Sequence, residues 1–187
     1  MRWRKSESAL EIITGDITAQ HLDAVVNAAN AQLAPGGGVA GAIHRAAGPE
    51  LWEQCRTLGG CATGKAKITK GFALPARWIV HTVGPVYGRD EPAAELLAQC
   101  YRESLARADE VEATAIGFPA LSTGAFGYPL EEAAAVALHT LFDALPGCRH
   151  VGLARFVLFG ERDAAVHREV AERLAPEQGW QADRPTA

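Results

Sequence analysis

Short apolar runs of strand length alternate along the chain with longer segments in which apolar residues recur at helical spacing. The strand-like runs cover residues 10–14, 23–27, 78–83, 115–118 and 155–159. The helical segments cover residues 39–58, 93–108, 130–145 and 164–175. Such alternation is typical of a mostly parallel sheet with helices on both faces. The pattern therefore predicts an α/β protein, a three-layer α/β/α sandwich with a mixed, largely parallel central sheet.

The alternation predicts one domain over residues 1–175, because neither a linker nor an internal repeat interrupts it. The polar stretch of residues 176–187 is expected to form a loose C-terminal tail. The first helical segment is predicted to be continuous, because its apolar residues lie four apart on one face. These residues are Val39, Ile43, Ala47, Leu51 and Cys55.

Composition narrows the classes of function. The chain has 187 residues and a net charge of −4, so it lacks the basic excess of a general nucleic-acid or anionic-membrane surface. Any phosphate site should therefore be built from backbone N–H groups rather than from lysine side chains.

The four cysteines form no CxxC pair, so they are interpreted as buried or free thiols rather than as metal ligands. Neither a metal nor a cofactor is expected. The N-terminal residues lack an apolar core of signal-peptide length, and no run of about 20 apolar residues follows. A cytoplasmic location is the resulting expectation.

Two glycine-rich segments each join a strand to a helix. The first is residues 35–41, with three consecutive glycines at a helix start, where unpaired N–H groups and the helix dipole favour an anion. A plain flexible loop is the alternative. The second is residues 121–129, for which the alternative is an ordinary turn with Ser122 or Thr123 as a helix cap. Both loops should lie at the carboxyl ends of strands, and two such loops suit a diphosphate.

The glycines at 36, 38 and 41 also match the dinucleotide-binding fingerprint GxGxxG. Residues 31–35 separate this loop from the preceding strand, whereas the fingerprint requires a tight turn. No strand ends in an acidic residue about twenty positions later, because Glu53 falls inside the predicted helix. A nicotinamide-dependent oxidoreductase is therefore disfavoured.

Polar residues follow the first two predicted strands. Asn27 and Asn30 flank the end of the second strand, and an asparagine offers a donor and an acceptor to ribose hydroxyls. Either asparagine could instead bond its own backbone in a turn. Asp16 follows the first strand and could equally cap a short helix.

Taken in order, five motifs resemble those of macrodomains, and of the MacroD type in particular. They are GDIT at 15–18, DAVVNAAN at 23–30, GGGVAGAIH at 36–44, IVHTVGP at 79–85 and STGAFG at 122–127. The resemblance extends over residues 10–167. It implies binding of ADP-ribose or an ADP-ribosylated protein. The activity it implies is hydrolysis of an ADP-ribose derivative, which is an ADP-ribosyl ester of an acidic side chain, O-acetyl-ADP-ribose or ADP-ribose phosphate.

The resemblance also implies roles for individual residues. Asp16, beside Ile17, would accept a hydrogen bond from the adenine amino group, and Phe159 would stack on adenine unless it packs in the core. Asn30 would hold the distal ribose. The glycine loop would enclose that ribose and one phosphate, and the second loop would hold the diphosphate, with Phe126 over the distal ribose. These loop residues are Gly36, Gly37, Gly38 and Val39, and Ser122, Thr123, Gly124, Ala125 and Phe126.

One position departs from the catalytic pattern. Catalytic members carry an Asp ten residues after the second asparagine of NAAN, and this chain has Ala40 there. The later histidine is present as His44, so Asn30, Gly38 and His44 are the candidate catalytic residues. The expectation is slow hydrolysis of an ADP-ribose derivative, and the alternative is a reader that binds ADP-ribose without turnover.

Overall fold

A computed structural model describes residues 1–183. Its strands are β1 (Arg2–Lys5), β2 (Ser8–Thr14), β3 (Ala24–Ala28), β4 (Ala66–Lys70), β5 (Trp78–Thr82), β6 (Ala115–Phe118), β7 (Leu153–Leu158) and β8 (Gln181–Ala182). Its α-helices are α1 (Gly38–Ala47), α2 (Glu50–Cys55), α3 (Ala93–Glu110), α4 (Leu130–Ala144) and α5 (Glu161–Leu174). Short 3₁₀ helices cover Ile17–Ala19, Leu145–Gly147 and Pro176–Gln178.

The strands of the described chain form one sheet in the order β4-β5-β3-β6-β7-β2-β1-β8. The five strands from β5 to β2 are parallel to their neighbours. Antiparallel strands extend the sheet at both ends, β4 beside β5 and β1 with β8 beside β2. This confirms the predicted mixed, largely parallel sheet flanked by helices.

Alternate residues of each central strand point to opposite faces of the sheet, as strand geometry requires. Val26 and Phe156 lie in the core beneath α3, α4 and α5, while Val25 and Val157 lie in the core beneath α1 and α2. Because both faces are buried, these strands read as continuous apolar runs.

The predicted helix over residues 39–58 is two helices. Gly48 ends α1 with a φ of 90°, a left-handed conformation that glycine tolerates, and Pro49 precedes α2. Proline lacks the N–H that a continuous helix needs at this point. The predicted apolar face nevertheless holds, because Ile43 and Leu51 are fully buried on either side of the break.

Three strands were missed because their sequences are polar. They are β1 (RWRK), β4 (AKITK) and the two-residue β8. All three lie in the flanking antiparallel parts of the sheet, where one face or one edge meets solvent and charged residues are tolerated. A pattern search for continuous apolar runs does not detect such strands.

The expectation of a loose tail differs from the structure over residues 176–183. Trp180 is only 2% exposed, its ring lies 5.0 Å from that of Phe142, and its Nε1 donates to the Phe142 carbonyl at 3.0 Å. The following strand pairs with β1. The buried indole therefore fixes this segment, and residues 184–187 lie outside the described part of the chain.

Within residues 1–183, no helix combines the length and the apolar character needed to span a bilayer. The same stretch contains no cluster of three or more His, Cys, Asp or Glu side chains suited to a metal ion.

We predict that Trp180→Ala lowers the free energy of unfolding by about 3–5 kcal/mol, as for other buried tryptophans. Urea denaturation followed by circular dichroism measures this loss. Gln181→Ala, at the next residue, which is exposed, is the control and should stay within about 0.5 kcal/mol. Equal stability of the two variants would mean that the C-terminal segment contributes little to the fold.

Candidate functional site

The carboxyl ends of the five parallel strands meet at one edge of the sheet. Both glycine loops emerge there, the first after β3 and the second after β6, together with the segments that follow β2 and β7. Because β3 and β6 are adjacent strands, the two loops lie side by side. This is the edge at which open α/β sheets bind ligands.

Asp16 caps the 3₁₀ helix that follows β2. Its Oδ1 accepts hydrogen bonds from the Thr18 amide at 2.8 Å and from the Thr18 hydroxyl at 2.7 Å. Its Oδ2 accepts none within residues 1–183, so the second oxygen is available to a ligand. The capping alternative and the ligand-binding role are therefore compatible, because they use different oxygens.

Ile17 presents its main chain to this edge. Its side chain is buried in the core beneath α1 and α2. Its amide donates no hydrogen bond to any described residue. Any contact of Ile17 with a ligand would therefore be made by its main chain, with the N–H as an available donor.

Phe159 is 94% exposed directly after β7. The core-packing alternative for this residue is wrong. Residue 158 pairs with Thr14, and the Gly15 amide bonds the Leu158 carbonyl at 2.8 Å, so the Phe159 ring projects beside the segment that carries Asp16. An exposed aromatic face and an available carboxylate oxygen thus lie on adjacent strand ends.

Asn30 shapes the first glycine loop. Its Nδ2 donates to the Ala34 carbonyl and its Oδ1 accepts from the Ala34 amide, each at 2.9 Å. The structure thus shows the turn role that was the alternative for Asn30. Each amide atom retains one further hydrogen-bonding position, so a ligand contact remains compatible with this pairing.

The first glycine loop offers a row of donors. The amides of residues 36–40 have no partner among the described residues, as expected for a loop that opens into a helix. A side chain at Gly37 or Gly38 would meet no protein atom within 4 Å, and Gly38 has a φ of +55°. Gly41 is needed for packing, because a Cβ there would lie 2.4 Å from the Gly36 carbonyl oxygen.

The second loop offers another row of hydrogen-bond donors. The amides of residues 122–126 likewise have no partner in the described chain. Two internal hydrogen bonds close the loop, from the Gly127 amide to the Gly124 carbonyl at 3.0 Å and from the Tyr128 amide to the Ser122 carbonyl at 2.9 Å. The N-cap of α4 is Pro129, without a side-chain cap, so the helix-cap alternative for Ser122 and Thr123 is wrong.

The charges around these loops are few. Residues 113–130 contain no Lys, Arg, Asp or Glu, and residues 24–49 contain only Arg45. Ala40, at the position where the resemblance implies an Asp in catalytic members, is buried in the first turn of α1. The positive potential of the cleft therefore comes from aligned N–H groups and helix ends, and neither loop contains a carboxylate.

His44 lies in α1, the helix that begins in the glycine loop. It is buried, its Nε2 has no hydrogen-bond partner within residues 1–183, and burial lowers its pKa. It borders a cavity of about 290 Å³ together with Gly36 and Trp52. The lowered pKa favours a neutral imidazole, and its catalytic role stays a prediction.

A buried polar network that sequence reasoning missed links three strands. His81 on β5 contacts Asn27 Nδ2 at 3.0 Å through Nδ1, and Thr69 Oγ1 on β4 at 2.8 Å through Nε2. Burial, with a smaller contribution from His44, lowers the pKa of His81 to about 3. The neutral ring fixes the end of β3 that carries Asn27. This asparagine is buried inside the sheet, with Nδ2 bonded and Oδ1 without a partner within residues 1–183, so it does not face the cleft. Asn27 and His81 both lie within quoted motifs, but no local signal identifies them as partners.

Comparison with known proteins identifies the family. The model of the Macro domain matches residues 26–137. A macro domain-containing protein of Chlorobaculum tepidum is 53% identical over 161 residues, which cover 86% of this chain and 94% of the relative. The ADP-ribose glycohydrolase MACROD2 of Xenopus laevis is 47% identical over 168 residues, which cover 88% of this chain and 40% of that protein.

Solved structures agree. The macrodomain of Oceanobacillus iheyensis with ADP matches with a TM-score of 0.91 and 43% identity, over 95% of this chain and 97% of that one. The sheet order, the two loops and these similarities lead to one conclusion: the chain belongs to the macrodomain family.

Proposed function

We propose that this protein binds ADP-ribose in the cleft between the two glycine loops and slowly hydrolyses ADP-ribose derivatives. The observation that carries the proposal is the pair of loops on adjacent strands, whose amides at 36–40 and 122–126 have no partner in the described chain. Such paired rows of N–H groups suit a diphosphate in a protein of net charge −4. The O. iheyensis macrodomain holds ADP, and the Xenopus relative is named an ADP-ribose glycohydrolase.

The adenine end of the ligand fits the ends of β2 and β7. The exposed Phe159 ring offers a stacking surface, and the free Oδ2 of Asp16 accepts from the exocyclic amino group of adenine. The Ile17 amide supplies a donor for a ring nitrogen. An acceptor beside a donor is the pattern that distinguishes adenine from guanine.

The rest of the ligand crosses the carboxyl edge of the sheet. From β2 the order is β7, β6 and β3, three steps of about 4.8 Å each, or about 14 Å in all. The amides of the second loop meet the diphosphate over β6, and the glycine loop and Asn30 meet the distal ribose over β3. Phe126, half-buried in the second loop, covers that ribose.

Turnover is expected to be slow because the glycine loop beside the distal ribose contains no acidic side chain. Residues 24–49 contain no Asp or Glu, so the loop has no general base, which typically contributes about 10²–10⁴-fold. Water must then be held by Asn30, the Gly38 backbone and an oxygen of the substrate's own diphosphate. The substrates proposed are mono-ADP-ribosyl esters of acidic side chains, O-acetyl-ADP-ribose and ADP-ribose phosphate.

Ala40 is also the observation that favours a second candidate, a reader that binds ADP-ribosylated proteins without turnover. Two experiments separate these functions. Calorimetry should show micromolar binding of ADP-ribose and weaker binding of AMP. Release of ADP-ribose from a mono-ADP-ribosylated glutamate peptide should then exceed the uncatalysed rate. No binding at millimolar ADP-ribose would refute the proposal, and binding without release would leave the reader.

We predict that Asp16→Asn weakens ADP-ribose binding by about 1.5–3 kcal/mol, the range for hydrogen bonds to charged groups. Asparagine keeps an oxygen that can cap Thr18 but turns an NH₂ group toward the adenine amino group. Calorimetry measures the affinity, and the melting temperature should stay near that of the unaltered protein. A large loss of stability with unchanged affinity would limit Asp16 to helix capping.

We predict that Gly124→Val removes ADP-ribose binding and leaves the fold intact. A Cβ at Gly124 meets no protein atom within 4 Å and the residue needs no left-handed φ, so the fold should accept a side chain that then competes with the diphosphate for space. Gly147→Val is the matched control, because its Cβ is equally free and it lies at the opposite edge of the sheet. Equal affinities in the two variants would place the phosphates elsewhere.

We predict that Ala40→Asp raises the rate of ester-linked ADP-ribose release about tenfold. A well-placed base is worth about 10²–10⁴-fold, and a misplacement of about 1 Å forfeits much of that gain. ADP-ribose affinity should fall modestly, because the new charge lies near the diphosphate. Ala40→Asn has the same shape without the base, so the same gain in that variant would contradict a carboxylate-limited reaction.

A further inference from the structure

Ser122, near the start of the second loop, combines two unfavourable features. It has a φ of 65°, a left-handed conformation that costs a residue with a side chain. Its hydroxyl is also buried, and Oγ has no hydrogen-bond partner within residues 1–183. A strained backbone and an unsatisfied buried oxygen in one residue require a compensating contact.

That contact is with Gly84, two residues beyond the end of β5. A Cβ built on Gly84 would lie 2.2 Å from Ser122 Oγ, far inside any real contact, and 3.4 Å from Ser122 Cβ. The Cα–H bond of Gly84 therefore points at the hydroxyl oxygen, the arrangement of a weak Cα–H···O hydrogen bond. Gly84 needs no left-handed φ, so only this close approach requires glycine here.

The Gly84–Ser122 contact connects segments that follow two strands that are not neighbours in the sheet. β5 and β6 are not neighbours, because β3 lies between them. Gly84 and Ser122 thus meet above the end of β3, where the chain enters the first glycine loop. The contact joins the segment that follows β5 to the second loop across the end of β3.

Other bonds hold Ser122 in place on the main-chain side. The Leu121 amide donates to the Tyr101 hydroxyl at 3.4 Å, and the Ser122 carbonyl accepts from the Tyr128 amide at 2.9 Å. With both flanks held, the left-handed turn at Ser122 sets the direction of the free amides of residues 123–126.

We propose that the Gly84–Ser122 contact positions the second loop for the diphosphate, with the Ser122 hydroxyl as a positioning group and Gly84 as the residue that admits it. This inference rests on the proposed binding of ADP-ribose. It assigns a role to Gly84 and to the Ser122 side chain, distinct from the amides that meet the ligand.

The test is a double-mutant cycle read out by calorimetry with ADP-ribose. Gly84→Ala should weaken binding about tenfold, the effect expected of overpacking at the base of the loop. The same substitution in a Ser122→Ala background should cost about twofold or less relative to Ser122→Ala alone, since the nearest remaining contact is the 3.4 Å one between the two Cβ atoms. Gly152→Ala is the matched control, because its Cβ would lie 3.6 Å from the Glu7 carbonyl oxygen, an ordinary contact at the opposite edge of the sheet.

A second readout separates positioning from general destabilisation. Adenosine, which lacks the diphosphate, should bind Gly84→Ala and the unaltered protein equally in NMR titrations. An equal loss for adenosine and ADP-ribose would overturn the inference, as would a tenfold loss that persists in the Ser122→Ala background. If Gly84→Ala does not fold, folding of the double variant supports the contact, and failure of both overturns it.

The inference and the proposed function can fail separately. Absence of ADP-ribose binding by the unaltered protein refutes the proposed function. The ¹H–¹⁵N spectra of the ligand-free proteins then decide the contact. Resonances of residues 122–126 should move in Gly84→Ala and return toward their positions in Ser122→Ala when both substitutions are present. Unmoved resonances would refute the contact.

Discussion

Parallel pairing of β3 with β5 and β6 is the constraint on which the cleft depends. Parallel strands end at the same edge of a sheet. The connections between them, through α1, α2 and the antiparallel β4 after β3 and through α3 after β5, bring the chain back to deliver another loop to that edge. The glycine loop, the Gly84 segment and the second loop are spread over more than eighty residues of sequence, yet they follow three adjacent strands. The buried network of His81 with Asn27 and Thr69 fixes the register at this point, and a neutral imidazole can do so without an unpaired charge in the core.

A protein with a net negative charge can bind a diphosphate only if its acidic side chains lie away from the binding site. Here the residues that form the two loops are uncharged, so acidic side chains stay away from the proposed ligand and backbone amides would provide the attraction. Amides are fixed by the fold, whereas lysine and arginine side chains lose conformational entropy when they bind. The energetic cost of such a site is conformational strain in the backbone, at Gly38 and Ser122, which both have a left-handed φ. Glycine bears this cost easily at position 38, and serine bears it at position 122 only because neighbouring groups hold it.

Binding and chemistry place different demands on such a cleft. Recognition needs donors, an aromatic surface and an acceptor for adenine, and all of these come from residues at strand ends. Fast hydrolysis also calls for a base beside the distal ribose, and a single residue in the first turn of α1 would supply it, where this chain has Ala40. His44 is a buried imidazole with a lowered pKa on the same helix, and its part in the reaction stays a prediction. The two functions can therefore be separated by one side chain without any change in fold.

The sequence by itself determined the alternation of strands and helices, the two glycine loops and the absence of charge from them. These are local properties, set by spacing of apolar residues and by backbone freedom at glycine. The sequence did not reveal the polar flanking strands β1, β4 and β8, the break at Gly48 and Pro49, or the burial of Trp180. Those depend on which surfaces meet solvent. Only the tertiary structure decided that Phe159 is exposed rather than packed in the core, that Asn30 is bonded within its own loop, and that Gly84 lies against Ser122. Each of these features depends on a contact between residues distant in sequence or on a choice between two partners that are both acceptable locally. The folded sheet decides them, because it fixes which residues are neighbours in space.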